Sequence, residues 1–101
     1  MLAIQLKSPK EVRQELAARA KERRLALNIS QQELAERSGV SLGSVKRFES
    51  SGLVSLSSLL EIALVLGCLG DFDALLVSKQ EPVSLFAPER KKRKRSSRKS
   101  A

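Results

Sequence analysis

Hydrophobic residues recur at helical spacing along most of the chain, and each such block begins at a residue that commonly caps a helix. The first block follows Ser8–Glu11, where an N-cap serine, a proline at the first helical position and a glutamate at the third form a strong helix start. Its apolar face is carried by Val12, Leu16, Ala20 and Leu27. We predict a first helix from Pro9 to about Leu27, ending at Asn28.

Four further helices are predicted from capping residues and glycine stops. The second starts at Gln31, behind the capping box Ser30–Glu33, and ends at Gly39, which adopts a left-handed conformation at no steric cost. The third runs from the Ser41 cap to about Ser50, the fourth from the Ser55 cap to Gly67, and a short fifth helix, capped by Asp71, carries Phe72, Leu75 and Leu76. The pattern predicts an all-α domain of five helices.

Two short segments outside these blocks alternate weakly between apolar and polar residues and predict β-strands. They are Leu2–Leu6 and Val83–Phe86. Because an isolated pair of strands is marginally stable in water, these strands must pair with each other or with a second subunit.

The composition agrees with packed helices and excludes several kinds of site. Hydrophobic residues make up 42% of the chain and aromatic residues only 3%, so the core must be aliphatic. The chain has no histidine, and Cys68 is its single cysteine, which excludes a disulfide framework, a Cys/His zinc site and imidazole catalysis. We therefore expect no enzymatic activity, no metal and no cofactor, and we interpret Cys68 as a small buried hydrophobic residue. No apolar run is long enough to span a membrane, so we expect a cytoplasmic protein without a membrane partner.

The net charge of +8 is concentrated in one stretch. Residues 1–88 hold 11 Lys/Arg against 10 Asp/Glu, whereas residues 89–101 hold 8 Lys/Arg against 1 Asp/Glu. We predict a folded domain over residues 1–88 and a disordered basic tail over residues 89–101. Such a tail is attracted to any polyanion, including nucleic acid and an acidic membrane surface, or it serves only solubility.

The segment Gln31–Ser50 has the length and layout of a helix-turn-helix, in which two short helices are joined by a tight turn at Gly39. Four apolar residues point to one core: Leu34, Val40, Val45 and Phe48. The other face of the third helix holds small or basic residues: Leu42, Gly43, Ser44, Lys46 and Arg47. A face of this kind can enter the major groove of DNA.

The residues ISQQELAERSGVS over 29–41, followed by VKRFE over 45–49, resemble the Cro/C1-type (Xre) helix-turn-helix family of bacterial and phage regulators. The resemblance covers about residues 12–70 and implies a compact, lambda repressor-like domain of five helices. It also implies a sequence-specific regulator of transcription, acting as a repressor on double-stranded DNA.

The resemblance implies a role for each matching position. Gln31 would contact a phosphate or a base, and Ser41 and Ser44 would contact phosphates. The residues that would face base edges are Leu42, Gly43, Lys46 and Arg47, with Arg47 the best candidate to bind guanine. Arg24 and Glu49 align with a structural ion pair. The chain departs from its relatives at Leu42 and Gly43, where many of them have Gln or Arg, so a thymine methyl group or DNA shape would be read instead.

The fourth helix carries more apolar residues than one helix face can bury. Either the first three helices cover it on several sides, or it packs on a second copy of the chain. We favour a homodimer, with Leu60, Leu64, Phe72 and Leu75 at the interface, which predicts a palindromic operator.

Two alternatives remain open. Size and layout resemble those of antitoxin-like chains that bind HipA-type kinases and repress their own operons. An RNA- or membrane-binding basic protein rests on the tail alone, because the three phenylalanines occupy apolar positions and leave no stacking platform.

Overall fold

The computed structural model describes residues 6–78, and its regular structure there is entirely helical. The elements are α1 (Pro9–Ala26), α2 (Gln31–Ser38), α3 (Leu42–Ser51), α4 (Leu56–Leu66) and a 3₁₀ helix (Leu69–Ala74). The prediction of an all-α domain of five helices is confirmed. The predicted strands and basic tail lie outside the described residues, except for Leu6, which has no regular structure.

Serine side chains start all four α-helices, as the capping signals predicted. At α1, Ser8 Oγ accepts from the Glu11 backbone N–H at 3.1 Å, and Glu11 Oε1 accepts from the Ser8 N–H at 2.8 Å. Ser30 and Glu33 form the same reciprocal pair at α2. Because these hydrogen bonds satisfy backbone donors that have no partner inside the helix, each start is determined locally.

The fifth helix differs in type and start from the prediction. It is a 3₁₀ helix that begins at Leu69, and Asp71 lies inside it, where its backbone N–H donates to the Cys68 carbonyl at 3.1 Å. The Cys68 N–H still donates to the Ala63 carbonyl, so the chain turns directly from α4 into this element and leaves no place for a capping aspartate. Leu76 follows the helix with a positive φ of 66°.

The core forms where α3 and α4 pack against both α1 and α2. Its largest fully buried side chains are Phe48, Leu34, Ile62 and Val45. The four residues predicted to point to one core from the helix-turn-helix, Leu34, Val40, Val45 and Phe48, are all buried, which confirms that prediction. The other helices cover only one face of α4. Ile62, Ala63 and Leu66 are buried on that face, whereas Leu64 is 58% exposed.

The buried face of α1 is only partly the predicted one, because Ala20 packs against the core as expected but other residues do not. Ala17 and Arg24 are buried, whereas Val12 and Leu27 are 43% and 49% exposed. Two effects shift the face: a small alanine allows close packing of α1, and the Arg24 guanidinium is buried because an acidic partner on α3 neutralises it. Periodicity counts apolar residues and therefore overlooks a buried arginine.

Backbone packing fixes the end of α3 against α1. Gly52 ends α3 with φ 82°, and a Cβ atom at this position would lie 2.5 Å from the Arg13 carbonyl oxygen. Arg13 Nε also donates to the Ser51 carbonyl at 3.2 Å. A residue without a side chain is therefore required here by both conformation and space.

Within the described part of the chain, none of the single helices is long and apolar enough to cross a membrane. Only α3 and α4 taken together pass such a test, and they are bent by 91° at the break between them.

Candidate nucleic-acid interface

The turn between α2 and α3 sets the position of α3. Gly39 ends α2 in the left-handed conformation, with φ 77°, and its N–H donates to the Ala35 carbonyl at 2.9 Å. Ser38 is buried beside it, and its Oγ accepts from the Val40 N–H at 3.2 Å. With Val40 and Val45 buried on either side of the Ser41 cap, α3 is held on α2 by its inner face and presents its other face to solvent.

Four residues of α3 form an open stripe along its outer face: Gly43, Lys46, Arg47 and Ser50. All four are exposed, and their spacing of three, four and seven residues places them on one side of the helix. Within residues 6–78, the side chains of Lys46 and Arg47 form no hydrogen bond or ion pair with another protein group. Ser50 belongs to this stripe although sequence reasoning missed it, and the spacing from Gly43 would have identified it.

The first turn of α3 is less open than the sequence predicted. Leu42 is half-buried and packs against the core, so it does not lie on the open stripe. Gly43 faces open space, since a Cβ atom added there would meet no atom within 4 Å. Ser41 Oγ accepts from the Ser44 N–H at 3.1 Å and donates to Ser44 Oγ at 2.9 Å, so its only proton is engaged. The hydroxyl proton of Ser44 remains free to donate to a DNA phosphate.

Glu49 joins three parts of the molecule at the inner edge of α3. Arg24 Nε donates to Glu49 Oε2 at 2.7 Å and Arg24 Nη2 donates to Oε1 at 3.0 Å, which is a bidentate pair between α1 and α3. Gln31 Nε2, at the start of α2, also donates to Oε1 at 3.0 Å. Arg24 Nη1 donates to the Ile29 carbonyl at 2.9 Å and so holds the turn before α2. The start of α2 is thereby tied to α3 through one carboxylate.

The ion pair is almost completely removed from water, with side-chain exposures of 8% for Arg24 and 3% for Glu49. Burial raises the pKa of Glu49, but hydrogen bonds from Arg24 and Gln31 and the charges of Arg24 and Lys21 lower it, and the net pKa lies below the ordinary value. The hydrogen bond to Glu49 raises the pKa of Arg24. Both groups are therefore charged at neutral pH.

The basic side chains of α1 differ in whether they form hydrogen bonds or ion pairs with other groups of the protein. Arg13 and Arg23 donate to backbone carbonyls of Ser51 and Leu66, and Arg19 lies 3.5 Å from the Glu15 carboxylate. Lys21 has no such partner within the described residues, and its charge acts on Glu49. Lys21, three residues before Arg24, thus lies near the contact between α1 and α3. The sequence did not single out this lysine, because basic and acidic residues alternate along α1.

The four residues predicted for a dimer interface fall on two surfaces. Leu60 and Leu64 share the outer face of α4, where Leu60 is half-buried and Leu64 exposed. Phe72 and Leu75 instead line an apolar groove of about 940 Å³ between α1, α4 and the 3₁₀ helix, which we call the α1–α4 groove. The structure does not bring all four side chains into one patch.

Comparison with known proteins agrees with this geometry. A family model described as helix-turn-helix matches residues 21–71, from the second half of α1 into the 3₁₀ helix, and so covers half of the chain. No curated protein and no solved structure gives a significant match. The matched segment includes the capped α2, the Gly39 turn and the open stripe of α3. The chain belongs to the helix-turn-helix family of the Cro/C1 type and is a DNA-binding protein of the transcription-regulator class.

Proposed function

We propose that this protein is a sequence-specific repressor that binds a palindromic operator as a homodimer. The observation that carries the proposal is the open stripe of α3, in which two cations without a partner among residues 6–78, Lys46 and Arg47, lie on a helix face with an open glycine at its start. The major groove of B-DNA admits a helix, and a guanidinium group there binds the O6 and N7 atoms of guanine.

Phosphate contacts on either side of the stripe would set the register of the protein on DNA. Gln31 retains one N–H and its carbonyl oxygen after donating to Glu49, and the α2 N-terminus beside it favours an anion. Ser44 has the free hydroxyl proton at the start of α3, and Lys21 adds a cation on α1. Contacts of this kind position a protein on the duplex, whereas Arg47 and Lys46 would read the bases.

Selection of bound sites from random duplexes tests sequence specificity, and Arg47→Ala tests the assignment of the reader. We expect Arg47→Ala to weaken binding to the selected site by about 1–3 kcal/mol and to relax the preference at one base position. Arg37→Ala is the matched control, because Arg37 is also an exposed arginine but lies on α2, 3.9 Å from Glu33. Equal losses on selected and random duplexes would contradict base reading by Arg47.

The homodimer is supported by the exposed apolar face of α4. Leu64→Asp should convert a dimer into a monomer in sedimentation equilibrium while the helical circular dichroism spectrum is retained, since Leu64 is not part of the core. A two-fold dimer would bind half-sites one helical turn apart, so this variant should also lose its preference for paired half-sites. A wild-type chain that is monomeric both free and on DNA would refute this part of the proposal.

The second candidate function is an antitoxin-like chain that binds a HipA-type kinase and autoregulates its operon. The exposed side chains of Leu64 and Val77 favour a protein partner of some kind. If the kinase binds Arg47→Ala and wild-type chains equally, its binding surface is separate from the open stripe, as this candidate requires.

A further inference from the structure

The α1–α4 groove is an apolar depression for which the described residues supply no cover. Its walls include Leu16 and Ala20 of α1 and Ile62 and Leu66 of α4, and Phe48 closes its floor. Val12, Leu27 and Leu75 line the groove with exposures of 43%, 49% and 59%. The polar groups at the groove belong to a few charged residues, and one of these, Arg23, already donates to the Leu66 carbonyl. The lining therefore favours an apolar occupant.

We propose that the segment Pro82–Ala87 of the same chain occupies the α1–α4 groove. This segment holds Val83, Leu85 and Phe86, whereas residues 88–101 are a proline, one run of charged residues and serines, and a final alanine. Burial of three large apolar side chains is the main favourable term available to such a segment. The inference does not depend on the DNA-binding function.

The position of the chain at residue 75 brings this segment to the groove. Leu75 lines the groove itself, and Val83 lies eight positions further along the chain, so an extended chain can place the two residues up to about 27 Å apart. The α1 wall from Val12 to Leu27 is about 22 Å long at the helical rise per residue. Val83 can therefore reach any part of the groove.

The opposite end of the described chain is less suited to this role. Leu6 lies three residues before the first residue of α1 and is 87% exposed, so its side chain does not pack on the apolar surface. A second copy of the protein would also have to compete with a segment tethered by a few residues, whose effective concentration is in the millimolar range. The intramolecular occupant is favoured on both counts.

Cys68 provides a direct test because it lines the groove and is the only cysteine of the chain. In the full-length Leu85→Cys variant, mild oxidation should form an intramolecular disulfide with Cys68, seen as a monomer of increased mobility on a non-reducing gel. Ser96→Cys is the matched control, because it places the second thiol on the same side of the domain in the chain but beyond the apolar segment. We expect the Leu85→Cys disulfide to form about tenfold faster than the control.

A second measurement uses the native cysteine alone. The Leu85→Asp/Phe86→Asp double variant should expose Cys68, so that its reaction with a soluble thiol reagent is about tenfold faster than in the wild type. Leu27→Ser should have a similar effect, since Leu27 lines the groove, whereas Leu25→Ser should not, since Leu25 is comparably exposed but outside it. Equal disulfide rates for the two cysteine variants, or unchanged Cys68 reactivity in the double variant, would overturn the proposal. Disulfide-linked dimers from Leu85→Cys that depend on concentration would overturn it in favour of a second copy.

Discussion

At the scale of single residues, Glu49 has the greatest influence on the candidate interface. Its carboxylate accepts from Arg24 on α1 and from Gln31 on α2, while Glu49 itself lies on α3. Removing one partner of a buried ion pair leaves an uncompensated charge, which costs far more than the loss of an exposed pair. One carboxylate thus controls both the stability of the fold and the orientation of Gln31.

Glu49→Gln should lower the free energy of unfolding at pH 7 by about 3–5 kcal/mol, because Arg24 then remains buried without a counter-charge. The pKa of Glu49 is lower in the folded protein than its ordinary value of 4.5. The folded wild type therefore loses stability as the pH falls from about 4.5 through this lowered pKa, while stability is fully present above that range. Urea denaturation between pH 7 and pH 3 should show a shallower pH dependence for Glu49→Gln.

Glu15→Gln is the control for that experiment. A hydrogen bond from Lys7 lowers the pKa of Glu15, but the residue belongs to an exposed pair. Its replacement should change stability at pH 7 only slightly. If both variants gave the same pH profile as the wild type, the Glu49 ion pair would not be the source of the acid sensitivity.

Ser41 and Ser44 should separate into a structural and a DNA-binding role. Ser41→Ala removes the N-cap of α3 and should lower stability by about 1 kcal/mol, measured by thermal unfolding. Ser44→Ala keeps the cap and removes the free hydroxyl proton, so it should weaken binding to all duplexes alike with little change in stability. A larger loss of DNA affinity for Ser41→Ala, after correction for its stability, would reverse this assignment.

At the scale of elements, the boundaries of the helices follow from short-range chemistry. Serine caps and glycine stops lie within a few residues of the backbone groups that they satisfy, and the ends of α2 and α4 could be predicted for this reason. The 3₁₀ helix could not, because its start is decided by the turn out of α4, where Cys68 donates to Ala63. The capping preference of Asp71 predicted a helix start at that residue, but the turn out of α4 places the start at Leu69.

Two glycines with the same conformation should respond differently to substitution. Gly39 and Gly52 have φ angles of 77° and 82°, but a Cβ atom at Gly39 meets nothing within 4 Å, while one at Gly52 meets the Arg13 backbone. Gly39→Ala should cost about 1–2 kcal/mol from the left-handed conformation alone. Gly52→Ala should cost about 1–3 kcal/mol more through overpacking. Chemical denaturation of both variants tests this difference, and equal costs would mean that α1 moves away from Gly52 without penalty.

At the scale of the whole molecule, charge and apolar surface are separated. Residues 1–88 are nearly neutral in sum, whereas residues 89–101 hold most of the net positive charge. The proposed recognition of DNA by the open stripe of α3 should therefore be separable by mutation from any non-specific attraction by the basic stretch. The α1–α4 groove adds a third surface that neither function uses.

Deletion of residues 89–101 should weaken binding to selected and random duplexes by the same factor. Each phosphate contact that is lost reduces the slope of log affinity against log salt by about 0.9. Fluorescence anisotropy at several salt concentrations, with Arg47→Ala as the comparison, distinguishes this uniform loss from a loss of base reading. An unchanged salt slope would show that the basic stretch does not contact DNA.

The sequence by itself determined the elements and the motif: four capped helices, the Gly39 turn, and the buried residues Leu34, Val45 and Phe48. These features depend on contacts between residues that are close in sequence and on helical periodicity, and both can be recognised from the order of residues in the chain. Only the tertiary structure decided that α1 buries Ala17 and Arg24 instead of Val12 and Leu27, and that Leu42 packs inward. It also decided which donors are already engaged by Glu49. The physical reason is that burial and pairing depend on which surfaces meet, and residues 24, 31 and 49 come together only after the chain has folded.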